Sequence, residues 1–361
     1  SKYAGQDIVY QELGVPMPKA SLEGYNAAIF AYGQTGAGKS YSMVGYGADV
    51  GIVPMMCKDM FERGASQDVK VVVQMLEIYN EEVFDLLAPQ GRTKVQVRNH
   101  PKEGFFVPGL TAVACTCYAE VEKESDVGNK ARTIGATAMN ATSSRAHTIF
   151  TLGVTAKDPV KGTELNSKID LIDLAGSESA GKTNASGTRL KEGANINKSL
   201  VTLGTVIRSL ADGGGRAPFR DSKLTMLLAR SLGGNSKAIM VAAISPALDN
   251  FQESMSTLRY ADQVKKIKNT VVKNEAITPE LVKALRAEIA KLQAGGGAAA
   301  APADGGGGGG GPDRTAEIDE LNEHLKFLEA DDAELQKRKG ELENSRNEAT
   351  ADMAISIQEI G

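Results

Sequence analysis

Cysteine is scarce. The 361 residues carry three, Cys57, Cys115 and Cys117. That is too few for a disulfide framework, and the C-T-C pair has no second cysteine pair or nearby histidine to complete a zinc site. Plain thiols in a reducing cytosol are expected. Long apolar runs are missing as well: nothing approaches the roughly 18 residues of a membrane span, so none is expected. The opening SKYAGQDIVY lacks the charged-then-apolar pattern of a secretory leader. The chain also lacks a large excess of either charge, at −4 net, but that figure hides a division. Residues 313–361 hold 14 Asp and Glu against 6 Lys and Arg, a net of −8, so the other 312 residues sum to +4. A mildly basic head followed by an acidic tail suits an acidic partner. No nucleic-acid partner is expected.

What is present is an α/β pattern. NAAIFAY (26–32), VKVVVQMLEIY (69–79), HTIFTLGVTA (147–156), SKIDLIDLA (167–175) and KAIMVAAIS (237–245) read as strands. Several are apolar on both faces, as strands covered by helices on both sides must be. INKSLVTLGTVIRSLA (196–211) and DSKLTMLLARSL (221–232) have helical periodicity, the second with Asp221 as N-cap and Gly233–Gly234 as its stop. A central mixed or parallel sheet is expected. Residues 277–293 read as a short helix, with Thr278 as N-cap and Pro279 at the first helical position. The Gly/Ala-rich stretch 294–312 reads as a flexible linker. Beyond it Ile318, Leu321, Leu325 and Leu328 repeat at 3-4-3 spacing, but Asp332 and Lys339 interrupt the a positions. A weak coiled coil that forms a homodimer and a helix folding back on the head both fit that pattern.

Chemistry concentrates in three places. GQTGAGKS (33–40) fits G-x-x-x-x-G-K-[ST] and follows a strand, as the motif requires. Glycines let backbone N–H groups turn inward around phosphate oxygens, and the following helix adds its positive N-terminus. Gly33, Gln34, Thr35, Gly36, Ala37, Gly38, Lys39 and Ser40 are therefore the candidate nucleotide site, with Lys39 for the β/γ-phosphates and Ser40 for Mg²⁺. DLAGSE (173–178) ends a second strand: Asp173 suits a Mg²⁺-bound water, and Gly176 suits a γ-phosphate oxygen. GTPases use the same D-x-x-G device with N-K-x-D to read guanine, and no such tetrapeptide occurs: NKAR (129–132) and NKSL (197–200) fail at the Asp. The third is NATSSRAH (140–147), where Ser143 and Ser144 suit γ-phosphate and Mg²⁺. Arg145 there suits a closable ion pair with Glu178 that would position water for in-line attack.

Together these motifs resemble the kinesin motor head, over nearly all of residues 1–276. GYNAAIFAYGQTGAGKSYSMVG (24–45) is similar to its phosphate-loop segment, NATSSRAH to switch I and LIDLAGSESA (171–180) to switch II. RLKEGANINKSLVTLGTVIRSLA (189–211) resembles the relay helix. VRNHPKEGFFVPGLT (97–111) and GNKARTIGATAMNATSSRAH (128–147) look most like the kinesin-3 class. The resemblance implies a P-loop NTPase fold with a central mixed, mostly parallel sheet flanked by helices, followed by a helical neck and coiled-coil segment. It implies a motor domain at 1–264, a neck linker at 265–276, a neck helix at 277–293 and a helical coiled-coil segment at 313–361. ATP or ADP with Mg²⁺ would be bound, Tyr41 would lie near the adenine, and Ser40, Ser144 and Asp173 would serve the metal. Lys39, Ser143, Ser144, Arg145, Asp173, Gly176 and Glu178 would carry catalysis. Lys102, Lys182, Arg189, Lys191, Arg220 and Lys223 would face the microtubule. Ile267 would dock the neck linker and Asn274 would latch it. The expected place is the microtubule cytoskeleton of the cytoplasm, with the ciliary axoneme as an alternative.

Four departures from the family stand out. Its opening strands, with their R-x-R-P adenine clamp and cover strand, are not among the residues of this sequence. The loop ADGGGRAP (211–218) holds one basic residue, Arg216, where the kinesin-3 class is lysine-rich. Ser179 stands where the family generally has Arg, and Ala146 where it generally has Ser. A microtubule-stimulated ATPase motor is the leading expectation. A non-motile structural microtubule binder is the alternative, and a nucleotide-gated switch for another partner is the third.

Overall fold

The computed structural model describes residues 5–100, 104–138, 145–158, 163–178, 188–213 and 217–276, with Lys283, Arg286 and Ala287 beyond them, and side chains outside 135–138 and 188–197. Ser143, Ser144, Lys102, Lys182 and Ser179 lie outside these residues, as do the Gly/Ala linker and the coiled-coil repeat. Two compact units divide the chain, 1–161 with 165–275 and 162–164 with 276–361. The site below belongs to the first.

In chain order the main elements are α1 (Pro16–Leu22), β1 (Ala27–Tyr32), α2 (Lys39–Met43), α3 (Ile52–Gly64), β2 (Lys70–Tyr79), β3 (Glu82–Asp85), β4 (Thr93–Val95) and β5 (Val113–Cys115). There follow α4 (Tyr118–Ala138), β6 (His147–Lys157), β7 (Glu164–Asp173), α5 (Thr188–Ala211), α6 (Lys223–Gly233), β8 (Lys237–Ala242) and α7 (Phe251–Val264). The sheet runs β8-β1-β7-β6-β2-β3-β4, with β5 against β2. It is mixed: β1 is parallel to β7 and β8, whereas β2 is antiparallel to β6, β3 and β5.

β1 explains the layering. Every residue of it is buried, and its period-2 alternation serves two cores. Ala27, Ile29 and Ala31 face one core, with Met56 and Met60 of α3 and Val121 of α4. Ala28, Phe30 and Tyr32 face the other, with Leu203 and Ile207 of α5 and Leu224, Leu228 and Leu232 of α6. α3, α5 and α6 show the sheet apolar residues at i, i+4 spacing, and helices cover both faces. The five strands read from sequence are all present. Helix α5 begins at Thr188, eight residues ahead of the periodic segment, because TRLKEGAN lacks an apolar stripe to announce it.

The cap of α6 differs from expectation. Ser222 is the N-cap, its Oγ accepting from Thr225 N–H at 3.1 Å, while Asp221 ends a preceding 3₁₀ turn. The Glu81 carboxylate adds a second anchor, accepting from Lys223 N–H at 3.0 Å. It is held there by a hairpin turn with Asn80 and Glu81 at φ 54° and 60°. All three cysteines are free thiols. Burial pushes Cys57 up to about 12 and Cys115 to about 11. Among the described residues no helix is long and apolar enough to cross a membrane.

Candidate functional site

The site forms where β1 and β7 end side by side. Ala31 pairs with Asp173 in register, so the loop 33–38 and the turn 173–176 emerge as neighbours at the C-terminal edge of parallel strands. Two further bonds lock them: Leu174 N–H donates to Ala31 O at 3.4 Å and Ser177 N–H to Gly33 O at 3.1 Å. Gly36 and Gly38 take φ of 80° and 98°, left-handed values that suit glycine. Ala37 N–H closes the turn onto Gln34 O at 3.2 Å.

Lys39 opens α2 and is 7% exposed. Its Nζ donates to Gly33 O at 2.9 Å and Gln34 O at 3.0 Å, folded back on the loop it follows. Burial lowers its pKa, and the charges of Asp173 and Glu178 pull the other way. Ser40 Oγ donates to Asp173 Oδ2 at 2.6 Å. Asp173 Oδ1 is buried with no hydrogen-bond partner among the described residues, and so is Gln34 Oε1. A hydroxyl and a carboxylate with one oxygen to spare are hard oxygen donors, the chemistry Mg²⁺ takes with several waters kept. The residues present therefore fit the metal. Among the described residues no cluster of three His, Cys, Asp or Glu offers an all-protein cage.

Beside the loop lies a cavity of about 370 Å³, lined by Thr35, Gly36, Gly38, Lys39, Ser40, Tyr41, Tyr46, Asp173 and Leu174. Tyr41, the residue expected near an adenine, is one of the lining residues. Tyr46, which the sequence reading missed, stands with its ring 6.2 Å from that of Tyr41 at an interplanar angle of 32°. A larger cavity of about 740 Å³ lies between α5 and α7, lined by Arg208, Asp212, Arg259 and Asp262 among others. Its lining includes no residue of the phosphate loop, so the smaller cavity is the candidate site.

Glu178, expected to close onto Arg145, is held here by Thr35. Both oxygens of Glu178 lie on Thr35, which gives its N–H at 2.8 Å and its hydroxyl at 2.5 Å. Thr35 presents two donors at hydrogen-bonding distance, and Gly176 makes room for them. A Cβ on Gly176 would stand 2.3 Å from Thr35 Oγ1 and 2.4 Å from Glu178 Oε2.

A second missed residue is His147, at the start of β6. It is 2% exposed. Its Nδ1 accepts from Ala175 N–H at 3.0 Å, and its Nε2 lies 2.8 Å from Ser199 Oγ on α5. Burial, reinforced by the positive charge of Lys39, pushes its pKa down to about 3. At the site end of β1, directly before Gly33, Tyr32 stacks on Tyr260 of α7 with centroids 4.0 Å apart and planes 6° from parallel.

Residues 265–275 run along the head. Ile267 packs against the α5–α6 core. Asn274 donates to Gly24 O from its backbone at 2.8 Å and from Nδ2 at 3.0 Å, and its own carbonyl accepts from Asn166 N–H at 3.0 Å. Its Oδ1 accepts from Asn235 at 2.9 Å, and Asn235 in turn accepts from Val272 N–H at 2.6 Å. Of the basic residues implied for a partner surface, Arg220 is exposed and Lys223 half-buried at the start of α6, while Arg189 and Lys191 lie in the first turn of α5.

The sequence model of the kinesin motor domain matches residues 1–267. Kinesin-related protein 1 of Dictyostelium discoideum is 44% identical over 384 residues, 99% of this chain and 17% of that protein. Human KIF13B is 51% identical over 308 residues, 81% of this chain and 17% of that protein. The unc-104 protein of Caenorhabditis elegans is 45% identical over 388 residues, 99% of this chain and 24% of that protein. The chain thus spans a quarter or less of the length of these relatives. Among solved structures, that of a fast kinesin aligns with a TM-score of 0.71 at 40% identity, covering 76% of this chain and 80% of that one. A KIF14 dimer in a two-heads-bound state, with AMP-PNP and in complex with a microtubule, aligns with a TM-score of 0.71 at 42% identity, covering 78% and 83%.

Proposed function

The chain belongs to the kinesin motor family, with kinesin-3 relatives, and on that premise we propose that residues 1–264 hydrolyse Mg·ATP when bound to a microtubule and that residues 265–276 convert the cycle into movement along it. The observation that carries this reading is the register Ala31 opposite Asp173. It brings the phosphate loop, the D-x-x-G turn and a partly unpaired Asp173 to one edge of the sheet.

In the proposed cycle Gly33 to Ser40 wrap the phosphates, and Lys39 turns from the carbonyls of Gly33 and Gln34 to the β/γ-phosphate oxygens. Ser40 and Ser144 would hold Mg²⁺, and Asp173 would do so through a water; when bound the metal would neutralise charge on the phosphates. Ser143 and the Gly176 N–H sense the γ-phosphate. Glu178 exchanges Thr35 for Arg145, closing the gate, and provides the path for the proton of the attacking water. The adenine lies against Tyr41. Two contacts support a seated neck linker: Ile267 against the core and the Asn274 hydrogen bonds. The microtubule face takes Lys102, Lys182, Arg189, Lys191, Arg220 and Lys223, contacts to acidic tubulin that salt weakens.

The test is ATP turnover with and without microtubules. Stimulated turnover is expected, falling about a hundredfold or more in Lys39→Ala and Glu178→Ala. Turnover that microtubules do not raise and that neither variant lowers overturns the reading. Loop 211–218, with its single Arg216, favours a second reading, a structural binder that docks without walking. A gliding assay separates the two: binding without filament movement selects the binder.

A further inference from the structure

We propose that His147 is a positioning residue, an imidazole bolt that ties the Asp173–Gly176 turn to α5 and carries displacement between them; the proposal rests on the motor reading above. Ala175 N–H donates to Nδ1 at 3.0 Å. A ring nitrogen that accepts carries no hydrogen, so the hydrogen of the neutral ring sits on Nε2. Nε2–H therefore donates to Ser199 Oγ at 2.8 Å. The ring is 2% exposed, which leaves water little access to either bond.

The connection has a direction. Leu174 N–H and Ser177 N–H tie the turn back to Ala31 and Gly33, whereas the bond through His147 leads across to α5. That helix also carries Arg189 and Lys191, assigned above to the microtubule face. Displacing the Ala175 amide either takes Ser199 with it or leaves a buried donor or acceptor unpaired, which costs more than a bond between satisfied groups is worth. A rigid ring with an acceptor at one edge and a donor at the other transmits that choice. Asparagine reproduces only the Nδ1 end, and glutamine only the Nε2 end.

Two measurements on the full chain test this. In the first, Ser199→Ala is expected to speed hydrogen exchange at the Ala175 amide about fivefold, the factor of one ordinary hydrogen bond. Imidazole ¹⁵N spectra of the unmodified protein are expected to show the Nε2–H tautomer. An Nδ1–H tautomer, or exchange that Ser199→Ala leaves unchanged, overturns the bolt whether or not the protein is a motor.

The second is a kinetic cycle. Ser199→Ala and His147→Asn each lower microtubule-stimulated turnover about fivefold, and the double variant is no worse than either alone. Ser199→Ala leaves basal turnover and KM for ATP within about twofold. Additive losses, or full stimulation in Ser199→Ala, overturn the proposal. Ser199→Ala and the spectra keep the test decisive if His147 variants fail to fold. A protein that microtubules never stimulate refutes the motor reading instead, and the exchange and tautomer measurements still decide the bolt.

Discussion

The two halves of the sheet bury charge in different ways. At the C-terminal ends of β1 and β7, Lys39 spends its ammonium on two backbone carbonyls and Asp173 keeps an oxygen unpaired. In the antiparallel half, Arg92 donates to Glu77 at 2.7 Å, with the side chains 10% and 6% exposed, and its guanidinium lies 3.4 Å from the Phe84 ring centroid. The first arrangement leaves valence for a ligand. The second has each charge answered by the other, and the cation also by an aromatic face. Buried charge is thus scaffold where it is paired and site where it is left incomplete.

Breaking the pair should give the largest effect. Arg92→Ala leaves the buried Glu77 with the more distant guanidinium of Arg132, 3.9 Å away, and is expected to cost about 3 kcal/mol of stability, read from urea unfolding. Turnover per folded molecule should not change. A large kinetic loss with little loss of stability would move the pair into the site and erase the contrast.

Next comes a matched pair of glycines. Gly176→Ala would press a methyl onto Thr35 and Glu178 at the site, and a misplacement of about 1 Å there costs about a hundredfold in turnover. Gly128→Ala, on α4, would press its methyl onto the flexible Met75 side chain at 2.2 Å, while the helix gains about 1 kcal/mol of propensity. Its turnover should be unaffected. Equal kinetic losses from the two substitutions would show that steric strain alone, and not position, decides the outcome.

Proton linkage sharpens the comparison further. His147 stays neutral down to about pH 3 in the folded protein, whereas in the unfolded chain it takes a proton below about 6.5. The unfolded state therefore binds the extra proton between these values, and stability falls as pH drops through that window. The slope is about 1.4 kcal/mol per pH unit, so about 2 kcal/mol is lost from this group at pH 5 and none above neutrality. Urea unfolding at pH 7 and pH 5 should show this share in the unmodified protein and not in His147→Asn. An unchanged pH dependence in the variant would mean that the ring is not buried neutral.

What was legible in the sequence follows the same physical line. The phosphate loop, its strand and the two-sided burial of β1 announce themselves within a few consecutive residues, since glycine spacing and apolar alternation are local signals. The Ser222 cap, one residue beyond Asp221, was not separable because both side chains cap helices well. His147 and Asn235 were not visible as site residues: their partners stand 28, 52 and 39 positions away, and no spacing rule links them. The Glu178 contact to Thr35 was not foreseen for a related reason. A carboxylate beside an arginine motif suggests an ion pair, but the fold brings Thr35 with two donors to the same place. Local chemistry was readable, whereas the choice among partners was decided by the sheet register.

The smallest effect belongs to Ala146, between Arg145 and His147 and 5% exposed. The family generally carries serine there, so Ala146→Ser adds one hydroxyl next to the imidazole that holds Ala175. A buried hydroxyl helps only through the partner it finds, and one neutral hydrogen bond is worth about 1 kcal/mol at most to a step it accompanies. The expected outcome is a rise in stimulated turnover of about twofold, with stability nearly unchanged. Measured beside Gly128→Ala, the substitution separates a change at the site from one in the scaffold. A rise from no turnover to a family-like rate would instead make this hydroxyl part of the hydrolytic apparatus, and the chemistry of NATSSRAH would then extend beyond the Ser-Ser-Arg core to the residue that abuts His147.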